Sequence, residues 1–499
     1  MTSAAEESLA RCRGATEAYL LAMAVPFPLF TGLSGYNYLH LKKFVFYALA
    51  TLLWLIILFS EAIRRILRGG RLSRPADSTI YTVVFLFLVV LSTLCSPYCS
   101  FFSPGERYEG LCTYMLYGAT FLGVRRFACP SERLLAAFAC AYSLCCCVAL
   151  GQLLGQNILG LYPEGMNYYH PYVQETGLFL GTVGNVDVFS VLHGLALPLF
   201  VAVLLYGKER KRLLLLGPIA LGLCCALWED VASGLLSLCV TAILFLPMLP
   251  VLLRRERTGI GQPWYRYLGG VVVLFAVMLF FYFFPFEHGM AFEIHSALHG
   301  ELRDEFGSHR ILIWRKVLDV VRQHPLLGIG PDSLLYYLDI HFERYSSLLG
   351  QTLYRTVDHA HNEYLQLLVS FGFIGVAPLI ALVLNDLLRL PENCTDPRKL
   401  PLVPCLFCCM LQAFFTIGSC ITTPLILIAG ALLTGDYNGS EIPDQGYEKD
   451  RENGDLSAGN MLSSTRTTRK SSRRWALPNA RLHDLRHSYA TVSIQAGDD

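Results

Sequence analysis

Residues 186–206 read VDVFSVLHGLALPLFVAVLLY, an apolar run of bilayer-crossing length. It has many counterparts. Runs of the same kind lie near 17–34, 41–60, 79–95, 110–124, 133–151, 213–228, 231–253, 268–286, 360–385, 401–417 and 420–434. In lipid, every backbone N–H and C=O must be satisfied internally, so such runs predict helices. Of 499 residues, 54% are hydrophobic and 16% charged, a balance that excludes an ordinary soluble protein. The expected fold is all-α: a polytopic membrane protein of about twelve transmembrane helices. The net charge of +1 singles out no acidic partner, and no nucleic-acid partner is expected.

Arginine and lysine decide the orientation. Arg64, Arg65, Arg68, Arg71 and Arg74 lie between spans two and three, and Arg125, Arg126 and Arg133 follow span four. Lys208, Arg210, Lys211 and Arg212 follow span six, Arg254, Arg255 and Arg257 follow span eight, and Arg389, Arg398 and Lys399 follow span ten. The alternate loops are poor in them, and 152–185 has neither residue type. Both termini are therefore expected in the cytoplasm. Lys42 and Lys43 fit this pattern badly. Residues 1–16 lack a cleavable signal pattern, so the first span is expected to serve as the insertion signal.

The expected organisation follows in order. A cytoplasmic N-terminus (1–16) precedes spans one to nine (17–286), and a large extracytoplasmic loop (287–358) separates these from spans ten to twelve (359–435). A polar stretch (436–474), too poor in apolar residues to bury a core, reads as a disordered linker. Residues 475–499 form a distinct end. The 17 cysteines include adjacent ones inside apolar runs (Cys145-Cys146-Cys147, Cys224-Cys225, Cys408-Cys409), which read as reduced helix-packing residues.

The long loop holds most of the chemistry. Ile311, Trp314, Leu318 and Val321 recur at helical spacing among Arg310, Arg315, Lys316 and Arg322, predicting an amphipathic helix on the membrane or over the bundle. Pro325 and the turn Gly328-Ile329-Gly330-Pro331 end it, and a second short helix is expected from about Asp332 to Tyr345. The turn has a structural reading and a second one, in which its glycines let backbone approach a ligand. Next comes Asp358-His359-Ala360-His361-Asn362-Glu363 at the outer mouth of span ten. A neutral imidazole there can accept a hydroxyl proton near neutral pH, with Asn362 or Glu363 orienting the ring. The competing reading is a hydrogen-bonded, inert interfacial histidine.

Arg310, with Arg303 and Arg315 as possible helpers, offers guanidinium forks suited to phosphate oxygens; the competing reading is snorkelling to lipid phosphates. Asn185, with Asp187, stands at the mouth of span six, where substrate contact and helix capping are equal readings. His295 and His299 are four apart but lack an HExxH pattern and a clear third ligand, so no metal is expected.

These motifs resemble the O-antigen ligase family, which is related to the polysaccharide polymerases. The likeness is most specific at Arg310 with Trp314, the turn 325–331, His361-Asn362-Glu363-Tyr364-Leu365-Gln366 and Gly372-Phe373-Ile374-Gly375. Gly184-Asn185 is similar to a further element of the family. The resemblance implies a metal-independent, cofactor-free, inverting glycosyltransferase of the bacterial inner membrane, active in cell-surface polysaccharide biosynthesis. Its donor would be a lipid-linked (undecaprenyl-pyrophosphate) glycan and its acceptor a hydroxyl of a glycan, lipid or protein. By position, His361 looks like the catalytic histidine, Arg310 like the pyrophosphate-binding arginine, and Arg303, Arg315, His359, Asn362, Glu363 and Asn185 like substrate-binding residues. One departure stands out: ligases of the family usually carry another arginine near the outer end of spans seven and eight, where residues 227–234 here have none. A transporter or flippase of lipid-linked sugars is the rival of another class; concentration of charge in one outer loop favours the enzyme. Near the C-terminus, His483 and Arg486 resemble the His-x-x-Arg box of tyrosine recombinases, but a piece of this size buries no core and is expected to be inactive.

Overall fold

The computed structural model describes residues 2–33, 35–36, 38–69, 76–102, 107–128, 130–161, 180–206, 210–229, 231–245, 264–287, 289–346, 351–393, 396 and 398–435. The expected linker and the recombinase-like end, residues 436–499, lie outside them, as does much of the 152–185 loop. Helices α1 (Thr2–Ala24), α2 (Leu39–Leu67), α3 (Asp77–Cys95), α4 (Leu111–Phe127) and α5 (Glu132–Leu153) come first. They are followed by α6 (Val186–Tyr206), α7 (Leu216–Glu229), α8 (Ala232–Phe245) and α9 (Trp264–Phe283). The loop contributes α10 (Gly289–Leu298), α11 (Arg310–Gln323) and a hairpin, β1 (His341–Ser346) with β2 (Gln351–Thr356). Helices α12 (Glu363–Leu388), α13 (Leu402–Gln412) and α14 (Thr423–Thr434) complete the described chain.

Each apolar run of the sequence coincides with a helix over its described part, residues 246–253 of the run 231–253 lying outside the described residues. Among the described residues, six helical stretches are long and apolar enough to cross a membrane: 39–67, 77–95, 132–153, 186–205, 210–229 and 363–388. Helix α6 is the hub, with 83% of its apolar window buried, and α5, α7, α8 and α13 pack around it. By contrast α2, α9 and α12 leave Leu53, Ile56, Val272, Phe275, Ile380 and Leu384 exposed, as expected of lipid-facing surfaces.

The first run differs from expectation. Helix α1 begins at Thr2 because its polar first half has partners on α2: Ser8 Oγ donates to Glu61 at 2.9 Å, and Arg11 Nε lies 3.1 Å from the same carboxylate. It ends before residue 34, giving way after Ala24 to a short turn, Pro26–Leu29. That break explains Lys42 and Lys43. Lys43 Nζ donates to the carbonyls of Phe27 and Pro28, and Lys42 Nζ to those of Thr31 and Gly35, satisfying backbone that the chain reversal leaves open.

Contacts between distant segments sort to two ends of the bundle. At one end, the α3–α4 loop meets the long loop through Arg107 and Asp358, and Glu363 meets the α13–α14 connection at Gly418. At the other end Arg125 of α4 binds Asp386 of α12 and Thr434 of α14, while Arg389 reaches Asp77. This is the alternation that successive membrane crossings produce. Among the described residues, Arg125 and Arg389 stand at this second end.

The loop is folded over the bundle with a small core of its own: Ile313, Val317, Val320 and Val321 of α11 with Ile329, Leu334, Leu338, Ile340, Val357 and Val369 of α12. The buried stripe of α11 agrees with the expected one at Val321, and at Trp314, which packs on this core, but it runs through Ile313 and Val317. Leu318 is exposed, because the buried face has shifted by one residue toward Ile313 and Val317. The expected helix from Asp332 to Tyr345 is also corrected. Only Leu334–Tyr336 makes a helical turn, and His341–Ser346 pairs antiparallel with Gln351–Thr356, His341 opposite Thr356. The aromatic and β-branched residues Phe342, Tyr345, Thr352, Tyr354 and Thr356 favour strands.

Helix α12 is broken at Gly372, where φ 63° and ψ −177° are accessible essentially to glycine alone. The turn 325–331 fills the break. Phe373 and Ile374 donate backbone N–H to the carbonyls of Pro325 and Leu326, and Ile329 and Gly330 donate to those of Val369 and Ser370. A Cβ on Gly372 would overlap the Leu326 backbone, and one on Gly328 the Ser370 backbone. The glycines thus serve a close approach of the chain to itself.

Candidate active site

The segment 358–363 enters α12 under tight local control. Asn362 caps the helix, its side-chain oxygen accepting the Leu365 N–H at 3.0 Å. Ala360 is pinned from both sides: its N–H donates to Gln366 Oε1, and its carbonyl accepts from Trp314 Nε1 of α11, each at 3.0 Å. His361 is left between them with a left-handed backbone (φ 48°). Left-handed non-glycine residues recur around the segment at Tyr108, Ser308, His309 and Asp332. Each such residue costs about 1–3 kcal/mol, and they collect at sites whose geometry the surrounding fold imposes.

Arg107, from the α3–α4 loop, anchors the segment. It is 2% exposed and grips Asp358 in a two-pronged pair, Nε to Oδ2 at 2.5 Å and Nη2 to Oδ1 at 2.6 Å. Burial alone would raise the Asp358 carboxyl, but Arg107, with His361 nearby, holds it below the ordinary carboxylate range. Beside them, burial pushes the Glu109 carboxyl well above its ordinary value, although Tyr117 donates to it at 2.7 Å.

The two histidines have different surroundings. His359 is buried, and its Nδ1 accepts the His361 N–H at 3.2 Å, which leaves its proton on Nε2, 3.8 Å from Glu363 Oε2. Burial, with the charges of Arg107 and His361, drives the His359 imidazole well below its ordinary value, so it is neutral at pH 7. Glu363 is itself held by the Gly418 N–H at 2.7 Å. His361 is only half-buried.

Arg310 opens α11 one turn before Trp314, on the same face of the helix. Its Nη1 donates to Gly307 O at 2.9 Å, while its Nε is buried with no hydrogen-bond partner. Its charge acts on Asp187, whose backbone N–H Asn185 caps at 2.7 Å. The structure thus joins Arg310, Trp314 and the histidine segment through the Trp314–Ala360 bond, and the field of Arg310 reaches Asp187 at the start of α6. Two of the expected substrate contacts, Arg303 and Arg315, are exposed and engaged by neighbouring side chains. Arg303 sits over the rings of Phe292 and Phe306, and Arg315 is held by Asp304 at 2.6 Å. The rings of His295 and His299 lie tilted with centroids 4.4 Å apart and Nδ1 atoms facing backbone carbonyls, and no metal-binding group of three ligands occurs among the described residues.

Arg107, Glu109 and Asp358 were not identified from sequence. The usable signal was an arginine in a connection that the charge pattern assigns to the arginine-poor side. Nor is charge confined to the loop: Lys43, His193 and Glu229 are buried within helices.

A polytopic helical bundle capped by a folded loop, with histidines at the mouth of α12 tied through Trp314 to the helix that carries Arg310, defines a multi-pass membrane protein with a candidate active site at one end. Residues 217–380, from α7 through the break in α12, match the family model described as O-Antigen ligase. No curated protein matches the chain.

Proposed function

We propose that this protein is a glycosyltransferase that moves a glycan from an undecaprenyl-pyrophosphate carrier to an acceptor hydroxyl on the outer face of the cytoplasmic membrane. The end with Arg125 and Arg389 and both termini would then face the cytoplasm. The observation that carries this reading is the Trp314–Ala360 hydrogen bond, which ties the helix of Arg310 to the segment of His361. In the proposed step His361 takes the acceptor's proton as its oxygen bonds to the anomeric carbon. The bond from that carbon to the pyrophosphate oxygen breaks, and its electron pair leaves with the pyrophosphate. Arg310 neutralises the departing charge, and direct displacement inverts the anomeric centre. His359 and Asn362 shape the segment, and Asn185 and Asp187 line the mouth of α6.

The test is incubation of purified protein with a defined lipid-pyrophosphate glycan and separate lipid, glycan and protein acceptors. Transfer to one of them supports the reading; movement of the carrier across a vesicle membrane without product supports transport instead. Glu229 occupies the α7–α8 region where ligases of the family carry arginine, which favours a polysaccharide polymerase as the second reading. Elongation of the glycan itself would identify it.

A further inference from the structure

A second set of ionisable groups lies inside the bundle, apart from the histidine segment. His193 of α6, Glu229 at the end of α7 and Tyr142 of α5 are all buried. Tyr142 Oη and His193 Nδ1 are 2.8 Å apart, and His193 Nε2 lies 3.5 Å from Glu229 Oε2. Glu229 Oε1 is buried and has no hydrogen-bond partner. The helices are shaped around this group: a Cβ on Gly222 of α7 would overlap the Tyr142 hydroxyl, and one on Gly234 of α8 would crowd Ser190 Oγ, which Gln412 of α13 reaches. Close helix approach at glycine is how membrane bundles accommodate interior polar groups.

A bare carboxylate so enclosed is costly to hold, whereas a carboxylic acid beside a neutral imidazole is not. A carboxylate beside an imidazolium contains the same atoms with the proton on the other partner. We propose that Glu229 and His193 form an intramembrane proton-binding site that senses the charge at Arg310. The connection runs through Asp187, which stands about 9 Å along α6 from His193 by helical rise. Its charge acts on Glu229, and that of Arg310 acts on it. The other titratable groups around the pair are Tyr142 and Cys146 of α5, Cys225 of α7 and Cys408 of α13. The sensing rests on the proposal that Arg310 binds pyrophosphate: an anion there cancels the cation opposite Asp187 and changes the field at Glu229.

The test is infrared difference spectroscopy of the full chain in lipid nanodiscs at pH 7. Beside the stretch of Glu109, a second protonated-carboxyl stretch is expected, lost in Glu229→Gln and shifted in His193→Gln. Should Glu229→Gln not assemble, the His193→Gln shift decides alone. Inorganic pyrophosphate is expected to shift the band in the wild type and not in Arg310→Ala. A spectrum identical in wild type and both variants overturns the proton site. A band that ignores pyrophosphate while pyrophosphate binds overturns the sensing. Failure of pyrophosphate to bind overturns the Arg310 reading and the sensing with it, while the variant spectra still decide the proton site.

Discussion

Replacing Arg107 by alanine leaves Asp358 charged, 18% exposed and stripped of both its guanidinium bonds. Removing one partner of a buried ion pair costs about 3–5 kcal/mol, and the partial exposure of Asp358 places this case near about 3 kcal/mol. Asp358→Asn is expected to be damaging too, because the guanidinium then has no charged partner. The double variant removes both charges, so its cost should fall short of the sum by about 2 kcal/mol. Thermal unfolding of the four proteins in one detergent measures this coupling. Because Asp358 directly precedes His359 and its charge interacts with His361, transfer should fall in kcat more than in KM. Additive single effects, agreeing within about 0.5 kcal/mol, or an Arg107→Ala protein as active as the wild type, would refute the anchoring role.

Gly372→Ala should be among the most damaging single changes outside the site, since the new Cβ meets Leu326 backbone rather than a side chain that can rotate away. The backbone strain alone is about 1–3 kcal/mol, and displacement of the 325–331 turn should appear as new protease cleavage near Leu326; an unchanged digest contradicts it. His359 gives a pH dependence. Its folded value is depressed from an ordinary value of about 6.5, so the unfolded chain binds the extra proton in the interval between the two. Stability is therefore complete above about pH 6.5 and declines as the pH falls toward the folded value. The melting temperature should drop between pH 7.5 and 5.5, and less steeply in His359→Asn. Equal slopes would remove His359 as the cause.

What could be read from the sequence was whatever depends on local pattern. Bilayer-length apolar runs located the helices, and the histidine segment was placed at the mouth of span ten, where α12 begins. The buried face of α11 was legible only at Trp314 and Val321, because periodicity gives a stripe but not the partner it meets; here that partner is the loop's own core together with Val369 and its neighbours. Pro325–Pro331 was recognised as a turn, but its fit into the break at Gly372 depends on a contact between distant backbones. The Arg107–Asp358 pair, 251 residues apart, has no local trace at all. The hairpin 341–356 lost out to a helical reading because neither of its strands contains a strongly alternating apolar set.

The central claim is that His361, not the buried His359, takes the acceptor proton. The most direct measurement is single-turnover glycan transfer by purified His361→Ala, with donor binding measured in the same preparation and His359→Asn alongside. Loss of a positioned general base should lower the chemical rate about 10²–10⁴-fold with donor affinity unchanged, and Arg310→Ala should weaken donor binding as well. A His361→Ala protein that transfers glycan at the wild-type rate would contradict the account.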